Sequence, residues 1–557
     1  MPRRTAVIED AIDLMEAFFP HKAAIGWQAP ILRTAIIAIG FWCISALAQA
    51  QQGESSQSQV FITPDVIVSE DGRHLDVERG LIAVPENRRN AASRSILVHF
   101  LRVKSKNPSK DGLPIVMLPG GPGYDYDFSR PKSFTQIERL SRNRDLVYVS
   151  QRGFPGAPGL VPGLRAHFDI DISLDGPMTL REVLSQEKSG VADAIAYWRR
   201  RGVDVEGYDI FNIVDDVYEL RETLGYEKII LRGCSFGSQW SFAYLKRWPE
   251  TVDRALLSGV EPLDFAYDSP SWIWASLARL SDQADRSPTL DGQIPEGGLL
   301  NVVKSLILRL ENAPVSVDLV DPDGGEQVTI SLGADDLRTR LRGYTFLMRD
   351  TPHENLAHWP RFILEMAQGD FRFLAALSLE GRQSSEAPSL ITYSIDNSIS
   401  ITEERDAKLV AEPENRWLAI NEGYRATRGL FSQIDAGDDF RADQQSAIPT
   451  LLVSGDLDWS TPIENAQHAL RFLDQGHLIT VKGATHCPLN REEQLLSQRP
   501  DAVEEIRRFL DLDFEETSAD DYLSTLPSSI ELEPIEFAPV TGVSLYDEWL
   551  KRRMGTE

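Results

Sequence analysis

The chain has 557 residues, 42% of them hydrophobic and 9% aromatic, which is enough apolar mass for a large buried core and too much for a disordered chain. Lys and Arg number 57 against 84 Asp and Glu, and the resulting formal charge of −27 repels phosphate backbones and anionic bilayers, so nucleic acid is not an expected partner. Three cysteines, Cys43, Cys234 and Cys487, are too few for a disulfide framework or a cysteine-rich metal centre.

In chain order, the first feature is the uncharged run Thr34–Ala48, shorter than the roughly 20 apolar residues a membrane-spanning helix needs. It ends in Ala48-Gln-Ala50, a small-x-small pattern, followed by the polar stretch Gln51–Gln59. Residues 1–50 therefore read as an export signal. Its removal would leave a periplasmic or extracellular protein with no stable membrane insertion, and would take Cys43 with it.

Short, nearly continuous apolar runs follow at Ser95–Leu101, Leu113–Leu118, Leu146–Val149, Lys228–Leu231, Ala255–Leu257, Pro449–Val453 and Leu478–Val481. Runs without alternation belong to strands buried on both faces, as in a mostly parallel central sheet. Between them, segments such as Ile213–Leu224 and Ala502–Leu510 carry apolar residues at helical spacing. The fold class is α/β. The rhythm breaks over 264–447, a Trp-, Leu- and Arg-rich stretch with helical spacing, expected as a large, mainly helical cap inserted between the core segments 51–263 and 448–515. Residues 516–557 form an acidic, proline-punctuated extension without a clear period, expected to wrap the surface or to be partly disordered.

The strand Lys228–Leu231 runs into Gly233-Cys234-Ser235-Phe236-Gly237 and then a helical segment. Strand, Gly-x-Ser-x-Gly and helix make a nucleophile elbow, a turn so tight that its flanking positions must lack bulk, with the Ser235 hydroxyl projected at a helix N-terminus. A serine hydroxyl needs a histidine to take its proton and a carboxylate to fix that histidine's tautomer. His486, in the Gly-containing loop after the last core strand, supplies the base. Asp456 and Asp458, after the strand Pro449–Val453, are both placed to supply the acid, and on a turn only one of them can reach the imidazole. Gly120-Gly121-Pro122-Gly123, directly after Leu113–Leu118, lets backbone N–H groups approach a ligand. The N–H groups of Gly121 and Phe236 are the expected oxyanion hole. There is no His-Glu-x-x-His, no paired Cys-x-x-Cys and no Gly-x-Gly-x-x-Gly opening the first strand–helix unit, so no metal and no cofactor is expected.

Gly120–Gly123, Gln151-Arg152-Gly153, Tyr208–Gly225 before the elbow, Trp359-Pro360 through Gly369-Asp370, and Gly455–Pro462 together resemble the proline iminopeptidase and tripeptidyl aminopeptidase family of α/β hydrolases, over about residues 75–515. The resemblance implies an α/β-hydrolase fold and release of amino-terminal residues or short peptides, with cap carboxylates holding the substrate's ammonium group. It also implies Asp458 as the acid, four residues before Pro462. Pro119 is similar to the secreted tripeptidyl branch, whereas iminopeptidases usually have His there. Phe236 stands where the family often has Tyr, and Ser150 where iminopeptidases have Asp. The amine-binding carboxylates find no match residue by residue; Glu261 and Asp264, just past the strand after the elbow, are candidates by position.

Cys234 precedes the candidate nucleophile and Cys487 follows the candidate base. This Cys-Ser…Asp…His-Cys arrangement resembles the tannase and feruloyl esterase family, and that resemblance implies a Cys234–Cys487 disulfide tying the two together. Two functions stand open on these residues: a secreted serine exopeptidase acting on a short peptide, or a carboxylesterase acting on an ester substrate. A non-catalytic binding protein on the same fold is disfavoured because all three triad positions are present.

Overall fold

The computed structural model describes residues 59–124, 131–154, 163–321, 324–342, 352–490, 492–514 and 516–554; the proposed signal, residues 1–50, lies outside them. Strands, in chain order, are β1 (Val60–Val68), β2 (His74–Pro85), β3 (Ser95–Val103), β4 (Ile115–Leu118), β5 (Leu146–Val149), β6 (Phe168–Asp171), β7 (Ile229–Cys234), β8 (Val252–Ser258), β9 (Val315–Val320), β10 (Gln327–Leu332), β11 (Gln383–Glu386), β12 (Thr450–Gly455), β13 (Gly476–Lys482) and β14 (Ser529–Glu531). Ten form one sheet in the order β1, β2, β3, β5, β4, β7, β8, β12, β13, β14. From β5 to β14 neighbouring strands run parallel, while β1, β2 and β3 join antiparallel at one edge.

Every residue of β4, β5, β7 and β12 is buried, which is why each reads as a short apolar run, broken in β7 only from Arg232 onward and in β12 only at Thr450 and Ser454. Alternate residues serve opposite faces. Val116 and Leu118 pack with Ile213, Val217, Trp240 and Tyr244 of the helices Ile210–Thr223 and Phe236–Arg247. Ile115 and Met117 pack with Phe134, Ile137, Ile506 and Phe509 of the helices Pro131–Leu140 and Pro500–Asp511. Because the central strands are parallel, the loops after β4, β5, β7, β8, β12 and β13 all emerge at one end of the sheet, where α/β sheets bind ligands.

Between β8 and β12 the chain leaves the sheet for an insertion with its own core, formed by the helices Pro270–Asp285, Leu299–Asn312, Pro352–Ala367 and Arg372–Arg382 and the antiparallel β9–β10 pair. The segment between β5 and β7 joins it: β6 pairs antiparallel with β11. Arg382, fully buried, locks that junction. It pairs with Asp336 at 2.8 Å and donates to the carbonyls of Ser173, Gly176 and Ser331.

The acidic extension folds back onto both parts. β14 adds to the sheet edge beside β13, and the helix Leu545–Arg553 sinks Leu545, Tyr546 and Trp549 into the core of the insertion. Its apolar residues show no period in sequence because they follow a path across two surfaces, with no single helix or strand to set a repeat.

Candidate active site

β7 ends at Cys234, and the helix Phe236–Arg247 starts immediately after Ser235. Ser235 has φ 57° and ψ −133°, a region that strains a residue with a side chain. Backbone bonds hold it there: its N–H donates to the carbonyls of Ser258 (3.1 Å) and Gly259 (3.0 Å), and its own carbonyl accepts from the N–H and the hydroxyl of Ser238, both at 2.7 Å. The turn needs its glycines for space. A Cβ on Gly233 would lie 2.1 Å from the Gly237 carbonyl oxygen, and one on Gly237 would lie 2.2 Å from that of Leu118.

After β12, the fully buried Asp458 accepts from His486 Nδ1 at 2.8 Å through Oδ2. The same oxygen accepts from the Thr461 hydroxyl at 2.8 Å, and Oδ1 accepts from the N–H groups of Ser460 (2.8 Å) and Thr461 (2.9 Å). Burial pushes the Asp458 carboxyl up, but the His486 charge and these hydrogen bonds outweigh it and hold the group below the ordinary Asp value. Asp456, the alternative acid, points elsewhere: it accepts from the Gly483 N–H at 2.7 Å, and burial raises its pKa. Cys234 and Cys487 form a disulfide with Cα atoms 6.0 Å apart, and both sulfurs lie within 4.8 Å of a His486 ring nitrogen. The bridge thus joins the residue before Ser235 to the residue after His486. Gly259 packs against this group, since a Cβ there would meet Cys487 Sγ at 2.7 Å and His486 Cε1 at 3.0 Å.

Gly121 lies in the loop after β4, beside the elbow: a Cβ on its neighbour Gly120 would be 3.4 Å from Ser235 Cβ. Phe236 is the first residue of the helix, so its N–H is one of those without an intrahelical acceptor. Gln151 braces the glycine loop from the end of β5. Its Oε1 accepts from the Gly123 N–H at 2.7 Å, and its Nε2 donates to the Gly120 carbonyl at 3.0 Å. From the other side, the Thr392 hydroxyl donates to the Pro122 carbonyl at 2.8 Å. Arg152, fully buried against Asp216 and the carbonyls of Glu86 and Gly207, anchors the segment that carries Gln151.

The two acids expected from position part company. Asp264 is engaged with the N-terminus of the helix Glu403–Ala411, accepting from the Thr402 N–H (2.8 Å) and hydroxyl (2.9 Å), and it does not face the site. Glu261 instead feels the charge of Asp458, together with those of two acids that sequence reasoning missed, Asp268 and Asp396. Burial, then the charges of Asp268, Asp396 and Asp458, raise the Glu261 carboxyl well above its usual value. Burial and Asp268 do the same to Asp396. Asp268 has a cation, Arg342, at 2.9 Å. Among the described residues neither Glu261 nor Asp396 has a hydrogen-bond partner for its carboxylate, although Asp396 is only 6% exposed. Half-buried Glu261 and buried Asp396, carboxylates without a side-chain partner among the described residues, are groups suited to a cation. One signal pointed to Asp396: it is the single charged residue of the helix Leu390–Ile399.

Residues 114–306 match a family profile described as alpha/beta hydrolase fold, and residues 433–501 match one described as TAP-like protein. A comparison with curated proteins finds no match. Similar solved structures include a proline iminopeptidase from Mycobacterium smegmatis (14% identity, 77% of this chain and 96% of that one covered, TM-score 0.36). Others are a serine hydrolase from Cycloclasticus zankles (12%, 78% and 96%, 0.30) and an esterase from Exiguobacterium antarcticum (13%, 80% and 100%, 0.32). Scores this low bear on neither substrate nor activity. The two profile matches, on a sheet with this strand order, make the chain a hydrolase of the α/β-hydrolase fold.

Proposed function

We propose that this protein is an exported serine aminopeptidase that cleaves the peptide bond following a free amino terminus. The observation that carries the reading is Glu261 and Asp396, two carboxylates without a hydrogen-bond partner among the described residues, of which Glu261 feels the charge of both Asp396 and Asp458; they are able to pair with a substrate ammonium. A neutral or acylated amino terminus would leave those carboxylates unpaired, so the site selects for the charged form.

In the proposed reaction Ser235 Oγ attacks the carbonyl carbon while His486 Nε2 takes the hydroxyl proton. Asp458 holds Nδ1–H, which leaves Nε2 as the acceptor. The oxyanion is stabilised by the N–H groups of Gly121 and Phe236. Collapse breaks the C–N bond, and the leaving amine takes the proton from His486. Water then repeats the sequence on the acyl-enzyme, releasing the carboxylic acid and restoring Ser235. Export is supported by the leader pattern of residues 1–50 and by the Cys234–Cys487 bridge, a bond that persists in oxidising compartments.

One observation favours a second reading. A disulfide joining the neighbours of nucleophile and base is similar to the arrangement in tannase and feruloyl esterases, so carboxylic ester cleavage is the alternative. Parallel assays on aminoacyl anilides and on feruloyl or short acyl esters separate the two. The aminopeptidase reading expects anilide turnover that is lost on N-acetylation; turnover of esters alone would replace it with the esterase reading.

A further inference from the structure

Residues 455–462 carry Asp458 between β12 and the helix Ile463–Leu470. The core grips the start of this segment. The Asp456 N–H donates to the Val481 carbonyl at 3.2 Å and the Leu457 N–H to that of Ala484 at 3.0 Å, which ties the segment to the chain leading into His486. Its carbonyls are held from the other side, by the insertion. Arg279 Nε donates to the Asp456 carbonyl at 2.7 Å, the Ser276 hydroxyl to that of Asp458 itself at 2.8 Å, and Arg342 Nη2 to that of Trp459 at 3.1 Å. Ser276 and Arg279 stand three residues apart, on one face of the helix Pro270–Asp285, the first of the insertion.

These two side chains act as a unit. Arg279 Nη2 donates to the Ser276 hydroxyl at 2.8 Å, and a guanidinium can only donate, so the hydroxyl accepts there and commits its single proton to the Asp458 carbonyl. Arg279 Nη1 is held in turn by Glu464 at 3.0 Å, on the helix that follows Asp458. Ser276 is fully buried, so truncating it would remove a hydrogen bond where water does not replace it. Asp458 is thus pinned at both ends, its carboxylate by His486 and the N–H groups of Ser460 and Thr461, its carbonyl by the insertion. Placement matters at this point, because a shift of about 1 Å in a catalytic group costs about 100-fold in rate. We propose that Ser276 and Arg279 are positioning residues, through which the first helix of the insertion sets the orientation of Asp458 toward His486 and makes turnover depend on how the insertion is seated. This rests on Ser235, His486 and Asp458 acting as a triad, and holds for a peptide or an ester substrate alike.

The test introduces Ser276→Ala and Arg279→Ala into the full chain, alone and together with Asp458→Asn. Steady-state kcat and KM are measured on the anilide or ester that the unaltered protein cleaves fastest, with melting temperatures alongside to show that each variant is folded. Each single substitution should lower kcat by about 10- to 100-fold with KM little changed. In Asp458→Asn protein the same substitutions should change kcat by less than about two-fold, because the carboxylate they place is gone. Added guanidinium, well below denaturing concentration, should restore part of kcat to Arg279→Ala, since the Arg279 side chain is 31% exposed and its place is open to solvent. It should restore nothing when Asp458→Asn is also present. Equal losses in both backgrounds, or single variants with unaltered kcat, would overturn the inference and leave the triad standing. Full activity in Asp458→Asn alone would remove the triad, and this inference with it.

Discussion

Asp456 and Asp458 show how little separates a structural acid from a candidate catalytic one. They are two positions apart on one turn, yet one accepts from Gly483 and the other from His486. Asp458→Asn should lower kcat by about 10⁴-fold with the fold intact, because the amide no longer fixes the imidazole tautomer. Asp456→Asn should keep activity within a few-fold, and steady-state kinetics on the preferred substrate distinguishes the two. The buried acids make a second prediction, in pH. In the range between the ordinary Asp value and the raised Asp396 value, the folded protein keeps a proton that the unfolded chain has released. Stability therefore falls as pH rises through that range, and the loss persists above it. Asp396→Asn should remove the penalty, raising the melting temperature at pH 8, with the gain vanishing as the pH falls to the ordinary Asp value. The same variant should raise KM for free-amine substrates. A melting curve unchanged at pH 8 would show that Asp396 carries no such strain.

At the scale of elements, the glycine loop after β4 owes its shape to side chains outside it. Gln151→Leu removes both of its hydrogen bonds to that loop and should lower kcat by about 10- to 100-fold, with KM little changed, because the misplaced N–H acts on the transition state more than on bound substrate. A slower rate of labelling by a serine-directed fluorophosphonate, at unchanged melting temperature, separates positioning from misfolding. The sequence displays Gln151 within a polar tripeptide but gives no sign of what it faces. The elements themselves were legible where burial is two-sided: β4 and β5 are apolar throughout and β7 and β12 over Ile229–Leu231 and Leu451–Val453, because both faces are covered. β1 and β2 escaped notice because they lie at the antiparallel edge, where polar and charged residues such as Asp65, Asp76 and Glu78 interrupt the run. The elbow and His486 were legible from strand context and order, but the acid only as the pair Asp456 and Asp458, between which the family resemblance chose Asp458. Asp268 was not legible, since an acid in a helical insertion looks like any solvated acid until packing buries it, and Asp396 left only the faint mark of a lone charge in an otherwise uncharged segment.

For the whole molecule, the carboxy-terminal extension matters more than its composition suggested. It places Ile530 in the sheet core and Ile535, Phe537, Leu545, Tyr546 and Trp549 in the core of the insertion, so one segment clasps both. Trp549→Ala should cost about 3–5 kcal/mol, read as a lower denaturation midpoint. Because the clasp couples the two cores, the loss should appear in a single transition; two separated transitions in wild-type protein would refute that coupling. The disulfide acts on the same scale, because its 253-residue span contains the whole insertion, which leaves the sheet after β8 and returns at β12. The chain is therefore covalently a ring from the nucleophile to the base. A single proteolytic cut anywhere within that ring opens it without dividing the molecule, so nicked protein should run as one band without reductant and as two with it. If the protein is exported as proposed, damage to the insertion by foreign proteases would then leave Ser235 and His486 in one covalent piece.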